Sequence, residues 1–162
     1  MRAVLASIKP VWAEKIYAGE KTVEVRKTAP HPESGIWDRH LTVYLYESGT
    51  GLVTGEFEMC GVEQCCTPWF TGDTCLTDVQ LREYGPGRDG WYRGWLIVSA
   101  TKYAQPKKLS DFRKVCANDL WCECCGMYNE NRNTCGNAAL AVKRPPQSWC
   151  YVEELREVGD GE

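Results

Sequence analysis

The chain has 162 residues, 43% hydrophobic and 25% charged, which suits one ordinary folded core and argues against a disordered chain. A formal net charge of −3 argues against a protein that coats nucleic acid through bulk positive charge. No apolar run reaches the roughly 18 residues of a membrane span, and Lys9 and Pro10 interrupt the N-terminal apolar stretch.

Ala3–Ile8 reads as a first strand and Val11–Ala18 as a helix. Pro10 fits the first helical position, where its missing N–H costs nothing, and Gly19 fits the left-handed residue after the last turn. Lys21–Lys27 then reads as a second strand. Alternation with Val23 and Val25 predicts Thr22, Glu24 and Arg26 on one face, with Lys21 at the strand mouth. Thr28–Asp38, with Pro30, Pro32 and Gly35, is a loop.

Leu41–Tyr46 and Leu52–Val62 alternate β-branched and aromatic residues as strands do, with a turn at Gly49 and Gly51 and a bulge or bend expected at Gly55. Thr77–Gln80 has the pattern of a capping box for a short helix ending near Tyr84, and Gly85-Pro86-Gly87 breaks the chain. Trp91–Ala100 is a strand, Leu109–Val115 a short helix or turn, and Ser148–Leu155 a last strand behind Pro145-Pro146. Residues 116–141 show no periodicity. The chain ends in an acidic tail at 156–162; Glu153, Glu154, Glu157, Asp160 and Glu162 face only Arg156, which leaves residues 1–152 at +1.

Ten cysteines need a chemistry, and without a recognisable secretory leader a disulfide framework is not the default. The skeleton C-x5-C-x2-C-x9-C, using Cys116, Cys122, Cys125 and Cys135, has the four thiolates of a tetrahedral structural zinc. The surrounding segment is polar and contains Gly126 and Gly136, so a metal would supply the folding free energy that its composition lacks. Unligated thiols and disulfides stay open as the other readings of this cluster. Cys60, Cys65, Cys66, Cys75 and Cys150 are expected as core thiols.

The Lys21–Glu24–Arg26 strand carries the functional signal. Arg26 offers a planar fork to phosphate or carboxylate, Lys21 a point charge, and Glu24 an acceptor. Trp12, Tyr17 or Trp37 would supply a stacking face for a base. The competing reading is a Glu–Arg pair that neutralises itself on a polar sheet face, worth under about 1 kcal/mol.

Ser7-Ile8-Lys9-Pro10, the following helix, and Gly19, Lys21, Thr22, Val23, Glu24, Arg26 and Lys27 resemble the ASCH domain, a small β-barrel related to the PUA RNA-binding fold. Arg144–Glu153 resembles the closing segment of prophage-type ASCH proteins, so the two blocks bracket almost the whole chain. The resemblance implies an α+β fold: one domain over 1–162, a PUA-like barrel with short flanking helices and a Cys-rich insertion at about 116–135. It also implies a cleft that binds RNA or a nucleotide, formed by Lys21, Glu24 and Arg26 and flanked by Lys9 and Ser148, in a cytoplasmic bacterial or phage setting. Gln147 and Ser148, presented by the Pro-Pro corner, are expected near that cleft, with a simple turn as the alternative.

An enzymatic role is the second implication, because some ASCH proteins are amidohydrolases of acylated cytidine nucleosides and others are ribonucleases. Lys21 and Glu24 are then the candidate catalytic residues. The amidohydrolase pattern has a threonine three residues after the lysine, where this chain has Glu24, and that departure counts against the amidohydrolase reaction. The third reading is a zinc-stapled scaffold without a working cleft.

Overall fold

A computed structural model describes residues 3–31, 40–116, 126–129 and 134–155. The chain opens with β1 (Ala3–Ile8), α1 (Pro10–Tyr17) and β2 (Val23–Arg26), followed by β3 (Leu41–Glu47) and β4 (Leu52–Cys65). Next come α2 (Asp78–Tyr84), the long β5 (Tyr92–Lys108) and β6 (Phe112–Lys114). The hairpin β7 (Tyr128–Asn129) and β8 (Thr134–Cys135) precedes the last strand, β9 (Trp149–Glu154).

Seven strands form one mixed sheet in the order β2-β5-β4-β3-β1-β9-β6. Among the described residues only the β1–β3 pair is parallel. β1 is central and buried on both faces, which is why Ala3–Ala6 runs apolar without alternation. Val4, Ala6 and Ile8 join Val43, Leu45, Phe57, Met59 and Trp95 on one face, closed by Ala13 and Ile16 of α1. On the other face Ala3 and Leu5 pack with Tyr44, Tyr46, Val53, Phe112 and Val152.

The expected closed barrel is not formed: the sheet is open. Its terminal strands are short, and neither β2 nor β6 pairs with the other. Leading into β2, the N–H groups of Thr22 and Val23 both donate to the Asp73 carbonyl, at 2.9 and 3.0 Å, so a loop takes the place of another strand. α2 packs beside it through Leu81, against Val23, Val25 and Tyr92.

Several boundaries follow the expected punctuation. Pro10 starts α1, Thr77 and Gln80 form both halves of the capping box, and α2 ends at Tyr84. Gly19, at φ +73°, turns the chain out of α1 while Glu20 and Lys21 donate back to the Lys15 carbonyl. Gly55 sits at a register shift between β3 and β4, and a side chain there would meet the Thr101 carbonyl and the Tyr17 ring.

Other boundaries differ. β5 continues to Lys108 because β4 pairs with it as far as Leu52. The short helix or turn expected at 109–115 is a 3-10 turn over Leu109–Asp111 only, followed directly by β6. Cys60, Cys65, Cys75 and Cys150 are half-buried, whereas Cys66 is exposed, because it lies just beyond the end of β4. The acidic tail at 156–162 lies outside the described residues, as do Cys122, Cys124 and Cys125.

Candidate functional site

The end of α1 delivers Lys21 inward. Its backbone is fixed by the hydrogen bond to Lys15, and the residue is 2% exposed. Nζ donates to the Thr74 carbonyl at 2.5 Å and lies 3.3 Å from Glu24 Oε2. The other carboxylate oxygen of Glu24 accepts from Arg26 Nε at 2.9 Å. Glu24 and Arg26 are 8% and 7% exposed, so the pair is not a solvated surface pair. One carboxylate therefore bridges two buried cations.

Arg26 is held from behind as well. Nη2 donates to the Ser7 carbonyl at 2.8 Å, and Nη1 reaches the carbonyl and hydroxyl of Ser148 at 3.2 and 3.4 Å. Its guanidinium lies 5.6 Å from the centre of the fully buried Trp95 ring. Trp149 meets Trp95 edge-on, Tyr151 meets Trp149 the same way, and the indole N–H groups of Trp95 and Trp149 both end on Thr28. This aromatic row is the rigid floor under the guanidinium.

The three charged residues open on a cleft of about 500 Å³. Ile8 and Lys9 at the end of β1 line it with Trp12 of α1, as do Leu76 and, from α2, Gln80, Glu83 and Tyr84. Lys21 Nζ lies 5.6 Å from the Trp12 ring centre, and Lys27 Nζ lies 5.2 Å from that of Tyr84. Burial raises the Tyr84 hydroxyl above its ordinary range; Arg26 opposes the shift and Glu24 adds to it. Tyr84 is therefore a neutral phenol at physiological pH.

Lys9, Lys21, Glu24 and Arg26 thus come together around one hollow. Lys9 is exposed at its rim. Ser148 is brought to Arg26 but acts behind it, as an anchor. Thr22 does not share the face of Glu24 and Arg26: it is exposed, and its hydroxyl accepts the Asp73 N–H at 2.9 Å. The alternation starts only at Val23, where β2 begins. Trp12 lines the cleft, whereas the Tyr17 hydroxyl pairs with Thr54 at 2.8 Å. Trp37 lies outside the described residues.

The wall made by Gln80, Glu83 and Tyr84 has no counterpart in the sequence reading. The capping box reveals that α2 exists, but not which strand it packs beside. Among the described residues no group of three or more His, Cys, Asp or Glu side chains is placed to hold a metal ion. Of the expected zinc ligands, Cys135 is buried and Cys116 half-buried, while Cys122 and Cys125 lie outside the described residues.

No family model and no curated protein matches the chain. Solved structures do. The ASCH protein of Zymomonas mobilis superposes with a TM-score of 0.53 at 21% identity, over 96% of this chain and 88% of that one. A serine-to-alanine variant of it gives a TM-score of 0.58 at 21% identity, covering 96% and 89% of the two chains. A tyrosine-to-phenylalanine variant gives 0.52 at 20%, covering 96% and 91%.

Proposed function

From the ASCH-type fold that these superpositions establish, we propose that the cleft binds single-stranded RNA or a nucleotide. The observation that carries this reading is the buried Lys21–Glu24–Arg26 chain opening on a hollow of about 500 Å³. Buried ion networks contribute little net stability compared with apolar residues of equal volume. Two cations at the base of an open cleft have their use in meeting an anion or a base edge.

The donors left over support that role. Lys21 has three N–H groups, of which two are directed at Thr74 and Glu24. Arg26 has five, and its contacts with Glu24, Ser7 and Ser148 fix the plane of the fork before any ligand arrives. Trp12 and Tyr84 line the same cleft and would supply the stacking rings, worth about 1–3 kcal/mol per base in single-strand recognition.

A gel with labelled single-stranded RNA, run beside Lys21→Met, tests the reading and reads cleavage at the same time. The expected result is a salt-sensitive shift with intact RNA, lost in the variant. Cleavage that disappears in a folded Lys21→Met protein would replace binding by a hydrolase reading, with Lys21 and Glu24 catalytic.

A structural zinc at Cys116, Cys122, Cys125 and Cys135 belongs to the same proposal. The Cys135 sulfur accepts the Asn137 N–H at 3.5 Å, which holds it at the start of the chain that follows β8. Arg113, three residues before Cys116, donates to the Asn137 carbonyl at 2.9 Å, which ties the two ends of the Cys-rich segment together. When bound there, zinc would contribute folding free energy to that segment.

A further inference from the structure

A second hollow, of about 610 Å³, lies on the other side of the end of β2. Arg26 lines the cleft described above and Lys27, the next residue, lines this one. The two hollows share a ridge made by the Lys27 ammonium over the Tyr84 ring. Beyond the ridge the lining includes Thr28, His31, Gln64, Arg88 and Arg93.

Its charge is unlike that of the first cleft. There, Glu24 and Glu83 offset much of Lys9, Lys21 and Arg26. Here the one acid among the described lining residues, Asp89, is spent on Arg93: Nη1 meets Oδ1 at 3.0 Å and Nη2 meets Oδ2. The same Nη1 donates to the Lys27 carbonyl at 3.1 Å, so the fork clamps the 87–91 turn onto the end of β2. Gly87 and Trp91 close that turn with a hydrogen bond of 2.8 Å. Arg88 stands exposed at its tip, and among the described residues it forms no ion pair. Among the described lining residues Lys27 and Arg88 thus leave two positive charges beside an acid that is already paired.

We propose that this basin is a phosphate subsite for the nucleotide next to the one in the Lys21–Glu24–Arg26 cleft, so that the protein reads a strand and not a lone nucleotide. The inference rests on the nucleic-acid reading of the first cleft. A strand seated over Trp12 and Tyr84 crosses the Lys27 ridge into the basin. There its phosphodiester meets Lys27 and Arg88, while the clamped Arg93–Asp89 pair keeps the turn in place. Phosphate contacts of this kind add affinity without base preference and steepen the salt dependence.

The test compares the four nucleoside monophosphates with short homo-oligoribonucleotides of the same bases, on the wild type and on Arg88→Ala, over a salt series. Wild type should bind the preferred oligonucleotide at least about tenfold tighter than its monophosphate, by the added phosphate contacts. Arg88→Ala should erase most of that advantage, lower the salt slope by about one and leave monophosphate binding unchanged. Monophosphate binding that depends on Lys21 but gains nothing from chain length would overturn the subsite and leave the first cleft standing. An unchanged oligonucleotide affinity and slope in Arg88→Ala would overturn it too. Wild-type protein that binds neither class would overturn both readings.

Discussion

Arg26 and Ser148 stand 122 residues apart in sequence and are joined by hydrogen bonds of 3.2 and 3.4 Å from one guanidinium nitrogen. The same Ser148 carbonyl accepts the Ser7 N–H at 3.0 Å, so the edge strand β2, the central β1 and the entry to β9 meet at one side chain. The fork geometry is what makes this junction. Arg26→Lys keeps a charge but cannot reach Glu24, Ser7 and Ser148 together. A loss of about 1–3 kcal/mol is expected from the unpaired carbonyls. Urea unfolding measures it, and RNA binding should fall as well; a variant with wild-type stability and binding would show that the junction is dispensable.

Glu24 is expected to matter more than either cation. Glu24→Ala leaves Lys21 and Arg26 buried with no carboxylate between them, a situation that costs about 3–5 kcal/mol. Adding Lys21→Met removes one stranded charge, so the double variant should be more stable than Glu24→Ala alone. Denaturation midpoints of the wild type, Glu24→Ala, Lys21→Met and the double variant decide the matter. Simple additivity of two destabilisations would mean that the three groups do not act as a unit.

The sequence was informative where local chemistry dictates geometry. Pro10 and Gly19 bound α1, and the Thr77–Gln80 box sets α2. Glu24 and Arg26 follow strand alternation within β2, but Lys21 joins them because the turn after Gly19 folds it inward, a consequence of tertiary hydrogen bonding. Likewise the wall made by Gln80, Glu83 and Tyr84 depends on Leu81 packing against β2, a contact between residues more than fifty positions apart. Barrel closure was the clearest misreading: strand patterns mark six strands of the main sheet, miss the short β6, and do not say whether the terminal ones pair. Here the Asp73 carbonyl takes the N–H groups at the mouth of β2.

Alkali should weaken the fold through its buried tyrosines. Burial pushes the Tyr17 hydroxyl up to about 12, and Tyr44 and Tyr103 are also raised by burial, with Glu154 and Glu56 as their respective nearby acids. A phenol with a raised folded value keeps its proton where the unfolded chain, near 10, has lost it. The unfolded state then binds fewer protons, so stability falls as pH rises above about 10. Below that value the contribution is fully present. Urea midpoints should be flat at neutral pH and decline between about 10 and 12, with phenolate absorbance appearing at unfolding. Ionisation of all eight tyrosines near 10 in the folded state would contradict the buried network.

Zinc gives the last prediction. Cys135 is buried at the end of the two-residue strand β8, whose one ladder partner among the described residues is β7, itself two residues long. Two isolated pairs of residues do not hold a hairpin in water, so the segment needs another source of order. The Arg113–Asn137 bond brings its two ends together, but one exposed or half-buried contact contributes only about 1 kcal/mol. A tetrahedral site using Cys116, Cys122, Cys125 and Cys135 would supply far more. Protein purified without chelators should therefore carry about one zinc per chain. Chelation should release it, lower the thermal midpoint and make Cys135 reactive toward thiol reagents. Cys135→Ser should bind less metal while the sheet built around β1 remains folded. Metal-free protein with a shielded Cys135 and an unchanged midpoint would assign the ordering of this segment to packing alone.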